Sequence, residues 1–578
     1  MASTQPLLAS RASSDHSEDA RAEAEDAALH GGQIQQSGRQ GSFWRQLALF
    51  LWALIATAAV IILAVLYQHH TQSDGKSNRK GLKPELRDSY KIPKGKRNMI
   101  FMVSDGMGPT SLSMTRSFRQ ETAGLKMDDV LVLDHHLIGS SRTRSSSSLI
   151  TDSAAGATAF SCGFKSYNGA ISVLPGGDPC GTVLEAAKLA GYMTGLVVTT
   201  RITDATPACF AAHVTSRDQE DLIAQQMIGQ GPLNRTLDLM IGGGRCHFLP
   251  QGMEGSCRGD TRNVVEEAVA NGWNYFSTRK EFDALNTDEP IGLPLMGLLA
   301  DHDIPYEVDR RTQSKVYPSL EETAETAIKI LTKATEDSDQ GFFLMIEGSR
   351  IDHAGHGNDP VAQVHEVLAY DKAFQMVLRY IEDEKDSDVS NVVISTSDHE
   401  TGGLAAARQL HSGYPDYLWY PRVLGNATHS GEYLASRLFQ YDGPSDTLPR
   451  YVQEELLGKG MGIYDPSSME LNTLLYHPEL AAYTFADMVS RRAQIGWSTH
   501  GHSAVDVNIY GAGKGFRKLA GNHENTEIGE FMEEYMGVDV QAVTQRLLKY
   551  GKQQGTEWMG RPVPEGWIHQ FDHYAHDH

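Results

Sequence analysis

Asn98-Met-Ile-Phe-Met-Val-Ser104 runs straight into Asp105-Gly106-Met107-Gly108. The run is apolar without a polar alternation, the pattern of a strand covered on both faces, and it stops on a carboxylate between small residues. The same form recurs as TGLVVTT (194–200), LDLMIGG (237–243), GFFLMIE (341–347) and NVVISTS (391–397). Amphipathic stretches such as GTVLEAAKLAG (181–191) and LEETAETAIKILTKA (320–334) lie between them. Strands alternating with helices predict an α/β fold: a three-layer sandwich with a central, mostly parallel sheet flanked by helices.

Working outward from these strands, the globular pattern spans 96–550, interrupted over 403–495 by a Tyr-, Pro- and Gly-rich stretch that reads as an insertion. Residues 1–46 are poor in large apolar side chains, a composition that cannot bury enough surface to fold, and are expected to be a disordered cytosolic tail. Residues 47–67 carry no charge, and at about 1.5 Å per residue they are long enough to cross a hydrocarbon layer. Phe43, Trp44 and Tyr67 sit where interfacial anchors belong, so a single transmembrane signal anchor is expected. Residues 68–95 then form a polar stalk and 551–578 a C-terminal tail. Basic residues flank the anchor on both sides, so charge does not fix its orientation. The sequons at Asn234 and Asn426 favour a luminal catalytic domain, hence a type II topology. Leu7-Leu8 in the tail is a candidate contact for a sorting adaptor.

The formal charge of −22 over 578 residues argues against a nucleic-acid partner. An anionic substrate would need a local positive site, from metal ions or a placed arginine. Of five cysteines, Cys246 and Cys257 are a candidate bridge and Cys180 with Cys209 a second, leaving Cys162 as the expected free thiol.

The chemistry gathers where strands end. Asp105 follows one strand, Glu347 closes another, and Asp398-His399 follow a third. Ligands of open α/β sheets bind outside the carboxyl ends of strands. One such Asp is easily a helix cap, but three acidic strand ends together point to a cation site. Asp352 and His356 are four apart and share a face if helical, and mixed oxygen and nitrogen ligands suit zinc. His500 and His502 each offer a further ligand. Ser153, in Thr151-Asp152-Ser153-Ala-Ala-Gly-Ala-Thr-Ala159, stands at the start of a small-residue helix, where backbone N–H groups favour an anion. A Ser there can equally be a plain helix cap. No nearby His suggests a triad, and a metal can activate the hydroxyl instead.

SDGMG (104–108), TDSAAGATA (151–159), DATPACFAAHVTSR (204–217), EGSRIDHAGH (347–356), SDHETGG (397–403) and THGHSAVDV (499–507) occur in that order. Together they resemble the alkaline phosphatases, and most closely the fungal vacuolar (repressible) members with a cytosolic tail and one anchor. The resemblance implies phosphate monoester hydrolysis of broad specificity, two zinc ions and one magnesium ion per subunit, a homodimer and a vacuolar membrane location. It implies Ser153 as the nucleophile that becomes phosphoserine, Arg217 as the phosphate clamp and Asp152 as the group orienting it. Asp105, Asp398 and His399 are implied for one zinc, Asp352, His356 and His502 for the other. Asp105, Thr206 and Glu347 are implied for magnesium. Asp204 and His353 stand beside the metals as a mixed pair, where bacterial members resemble Asp/Lys and animal members His/His. The competing enzyme is a phosphodiesterase, sulfatase or mutase of related fold. The competing non-enzyme is a tethered zinc store, which would have no use for Ser153 or Arg217.

Overall fold

The computed structural model of the protein describes residues 89–561 apart from 288, 386 and 415, together with helical positions between 47 and 58. The chain divides between Lys83 and Pro84 into two units. In the first, the described positions are helical and expose Leu47, Phe50, Leu51, Trp52, Leu54 and Ile55. Among the described residues no helix is long and apolar enough to cross a membrane, and most of the expected anchor, the Leu7-Leu8 pair and most of the stalk lie outside them.

The second unit is built on a ten-stranded sheet. Its strands are β1 (Arg97–Val103), β2 (Leu137–Arg142), β3 (Met193–Arg201), β4 (Leu239–Gly243), β5 (Asn274–Phe276), β6 (Leu295–Leu298), β7 (Phe342–Glu347), β8 (Ser390–Thr396), β11 (Val507–Gly513) and β12 (Gly521–Glu524). The short strands β9 (Glu400–Thr401) and β10 (His502–Ser503) pair with each other. The large sheet runs β12-β2-β11-β8-β1-β7-β3-β4-β6-β5, and only β11 is antiparallel to its neighbours. The mostly parallel sheet expected from the unalternated apolar runs is therefore present.

Period-two alternation assigns the two faces. Met99, Phe101 and Val103 of β1 face helices α2 (Ser153–Cys162) and α3 (Ala205–Ala211), with the Phe101 ring edge-on to Phe160 at 5.4 Å. Ile100 and Met102 face α4 (Leu320–Ala334) and α6 (Pro360–Asp383). Helix α4 starts where the sequence says it should: Ser319 and Glu322 form a reciprocal capping box. Ala324, Ala327, Ile328 and Leu331 then form its buried stripe.

The stretch 403–495 is bracketed by β9 and β10, and Ala405 bridges Gly496 at its base. The chain thus leaves and returns at one point, which lets a long insertion sit there without disturbing the sheet. It forms short helices around its own core of Leu424, Leu434, Leu438, Leu456, Phe485 and Val489, packed on Met114 and Phe118 of α1 (Pro109–Ala123) and Val361 and Val364 of α6.

Two expectations are corrected. Cys162 is not free: it is bonded to Cys180, because residues 163–179 fold back through the Val173–Pro179 bridge and return Cys180 to the end of α2. Cys209 is the free cysteine, buried beside the Ala154 carbonyl, and burial pushes its thiol up to about 12. Cys246 is bonded to Cys257. The expected tail also begins later than residue 551. Helix α7 (Val540–Gln554) runs past that point, Met559 is buried, and the Trp558 carbonyl accepts from Gln226.

Candidate active site

The acidic strand ends converge because β8, β1 and β7 are the adjacent strands of the sheet. Asp105 follows β1, Glu347 ends β7, and Asp398-His399 follow β8. His399 Nε2 lies 3.1 Å from Asp398 Oδ2 and 3.6 Å from Asp105 Oδ1. Thr206, in the first turn of α3, donates to Asp105 Oδ2 at 3.3 Å. Gly106 makes the turn with φ +72, and a Cβ there would stand 2.5 Å from Asp352 Cα. Replacing Gly106 by Ala is expected to cost about 2–3 kcal/mol, from left-handed strain and the clash. A fall in melting temperature accompanied by loss of bound metal would show it.

Helix α5 (Arg350–His356) carries Asp352 and His356 on one face, with His356 Nε2 3.3 Å from Asp352 Oδ2. His502 arrives on β10, whose partner in β9 is Thr401. Its Nε2 is 3.6 Å from Asp352 Oδ1 and 3.1 Å from His356 Nε2. Its Nδ1 donates to the Thr151 carbonyl at 2.7 Å, which leaves the Nε2 lone pair turned toward the cluster. His500 points elsewhere: its Nδ1 bonds the His356 carbonyl and its ring sits edge-on to Tyr483.

Ser153 is the first residue of α2, and Asp152 is the cap, accepting from Ala155 N at 2.9 Å. The Ser153 hydroxyl is thereby released from capping, and its Oγ lies 3.1 Å from His399 Nε2. The other Asp152 oxygen accepts from Gly169 N and faces Arg217 Nη1 at 3.4 Å. Asp204 caps α3 and faces Arg217 Nη2 at 2.9 Å. The guanidinium is thus held between the caps of two helices. Burial disfavours its charge, but Asp204 and Asp152 outweigh burial and raise its pKa. In the phosphate-clamp role that the resemblance implies for it, Arg217→Lys, with no planar fork to offer, is expected to lower kcat/KM about 10- to 100-fold and to weaken inhibition by inorganic phosphate in parallel. His353 lies beside this array, 4.0 Å from Asp204 and 3.4 Å from Asp303.

Electrostatically these carboxylates need a cation. Asp105 Oδ1 and Asp398 Oδ2 are buried and accept no hydrogen bond. Burial, with Asp398 next, drives Asp105 well above the usual carboxylate range. Burial raises Glu347 to about 8. Burial and His399 lower His502 to about 3, keeping its imidazole in the neutral form that ligates. At this edge two groups could hold a metal, Asp105/Asp398/His399 and Asp352/His399/His502, with His399 reaching both. Their mixed donors fit zinc, and the all-oxygen set of Asp105, Thr206 and Glu347 fits magnesium.

Sequence reasoning passed over Thr401 and Arg201. Thr401 Oγ1 donates to Asp352 Oδ1 and lies 3.2 Å from His399 Nδ1, so one hydroxyl links the two groups. Its position two residues after His399 was the available signal. Arg201 pairs with Glu220, Asp303 and Asp204 and so anchors the carboxylate that holds Arg217. Nothing in its local sequence sets it apart from any arginine at a strand end.

The sequence model of the family "Alkaline phosphatase" matches residues 96–538. A repressible alkaline phosphatase of Saccharomyces cerevisiae is 56% identical over 473 residues, 78% of this chain and 83% of that protein. An alkaline phosphatase of Schizosaccharomyces pombe is 48% identical, covering 86% and 89%. The crystal structure of Thermus thermophilus alkaline phosphatase superposes with a TM-score of 0.65 at 28% identity, over 81% of this chain and 98% of that one. With the strand-end carboxylates, the uncapped serine and the clamped arginine gathered at one sheet edge, this chain belongs to the alkaline phosphatase family.

Proposed function

We propose that the chain hydrolyses phosphate monoesters by passing the phosphoryl group first to Ser153 and then to water. The observation that carries this reading is the placement of Ser153 Oγ, free of capping duty, 3.1 Å from His399 Nε2 and beside the Asp152–Arg217 pair. The uncatalysed reaction is among the slowest known, so the site must supply on the order of 20 kcal/mol. Preorganised charge is the means of that size.

Arg217 binds two non-bridging phosphate oxygens through N–H groups not engaged by Asp152 and Asp204. Ser153 Oγ then attacks phosphorus opposite the ester oxygen. The P–Oγ bond forms as the P–O bond to the alcohol breaks, and the alcohol leaves carrying a proton. Water attacks the seryl phosphate from the vacated side, Oγ departs and recovers its proton, and inorganic phosphate is released. The N-terminus of α2 favours negative charge on the phosphoryl group throughout. Two zinc ions held by Asp105, Asp398, His399, Asp352, His356 and His502, with one magnesium ion at Asp105, Thr206 and Glu347, would supply Lewis acidity for the attacking and leaving oxygens. The contacts fall on the phosphoryl group, so the alcohol is free to vary.

The chelator experiment tests this directly. The full-length protein should lose p-nitrophenyl phosphate hydrolysis on chelation and regain it with zinc and magnesium together. Activity indifferent to chelation would sink the metal reading.

We also propose a type II anchor at 47–67 with the catalytic domain in a vacuolar lumen, supported by the exposed apolar helix positions and by exposure of Asn234 and Asn426 at the sequons. A homodimer meeting through the 403–495 insertion is supported by the exposed Tyr414, Tyr417, Tyr464 and Tyr476 there. Adaptor-directed sorting through Leu7-Leu8 rests on sequence alone.

A further inference from the structure

We propose that Arg142, Arg144 and Lys165 form a second anion site at the active edge of the sheet, one that takes a second phosphate carried by the same substrate molecule. The inference rests on the phosphomonoesterase reading above. It begins from direction. Strand β2 is antiparallel to β11, which is antiparallel to β8. Arg142, the last residue of β2, therefore emerges on the edge that carries Asp105 and Asp398.

Two bounds fix how far away it is. The sheet order puts β2 two strands from β8, about 10 Å at roughly 4.8 Å per strand. Independently, Ser141 pairs with Val507, which is five residues after His502, at most about 17 Å of extended chain. The chain from Arg144 then leads through Thr151, whose carbonyl holds His502, to Ser153 itself.

All three cations share one carboxylate: Glu524 lies 2.6 Å from Lys165 Nζ, 3.3 Å from Arg142 Nε and 3.8 Å from Arg144 Nη2. At ion-pair distance three cations meet one carboxylate, in a chain of net −22. Among the described residues no other carboxylate pairs with the three: Glu527 faces His523 and the Glu524 N–H, and Asp506 reaches Arg142 only through Asn522. The side chains of Arg142 and Arg144 are 44% and 52% exposed, so an incoming anion can reach them. A plainer role exists: β12 is an edge strand, and basic side chains gathered on its Glu524 discourage edge-to-edge pairing. That role predicts no dependence on substrate.

Hexane-1,6-diyl bisphosphate, whose phosphates lie about 10 Å apart when extended, is compared with hexyl phosphate on the full-length protein. The bisphosphate should show a kcat/KM about five- to tenfold higher at low salt, beyond the statistical factor of about two, as expected for one or two partly exposed ion pairs. Added salt should erode the difference. In Arg142→Gln/Arg144→Gln the ratio should collapse to the statistical factor. In Lys329→Gln/Lys333→Gln, the same charge change on the exposed face of α4, it should persist. Equal rates for the two substrates in the wild type, or a preference that survives in the arginine variant, overturns the site. Failure to hydrolyse hexyl phosphate at all would instead overturn the phosphomonoesterase reading and this inference with it.

Discussion

Ser153→Ala is expected to lower kcat by about 10³-fold or more while leaving bound metal and folding intact. The reasoning is local. Asp152, not Ser153, caps α2, so removing the hydroxyl takes away no cap and leaves the ten-residue helix its start. What is lost is the atom 3.1 Å from His399 Nε2, on the residue next to the Asp152 that faces Arg217. Were Ser153 an ordinary cap, the substitution would cost about 1 kcal/mol of stability and little activity. Melting temperature and kcat measured on one sample separate these outcomes, as do metal content and phosphate inhibition.

Asp398→Asn is expected to lower activity at least about 10²-fold by weakening metal retention. Asp398 is fully buried; one oxygen accepts from His399 N at 3.0 Å, and the other accepts no hydrogen bond. An amide keeps the first contact but turns a neutral group toward the cation position. The change also removes one of the charges that press on Asp105. Added zinc, which stabilises whatever state binds it, should raise the melting temperature of the wild type far more than that of the variant. A variant destabilised equally with and without zinc would mean that Asp398 serves packing alone.

The sheet was legible because strands buried on both faces have no polar alternation to confuse them, and Met99 through Val103 read as one run. The convergence of Asp105, Glu347 and Asp398 was legible as three strand ends, but the order β8-β1-β7 that makes them neighbours is a property of crossovers and is absent from local pattern. The cysteines show the same limit. Cys162 was expected as the free thiol, but it is bonded to a partner that comes from a fold-back through Val173 and Pro179, which no spacing rule specifies. Asp152 and Asp204 each resemble simple helix caps. That both turn an oxygen to one guanidinium depends on how α2 and α3 pack together. Arg201 lay beyond reach because its role is defined wholly by tertiary partners.

Transfer of phosphate through Ser153 requires a phosphoseryl enzyme. The full-length protein, reacted with a phosphate monoester at low pH to slow release and quenched in acid, should yield the peptide containing Asp152-Ser153-Ala154 heavier by one HPO₃ group, with fragmentation placing the mass on Ser153. A quenched enzyme that turns over substrate yet carries no phosphate on that peptide, or carries it on another residue, would contradict the account.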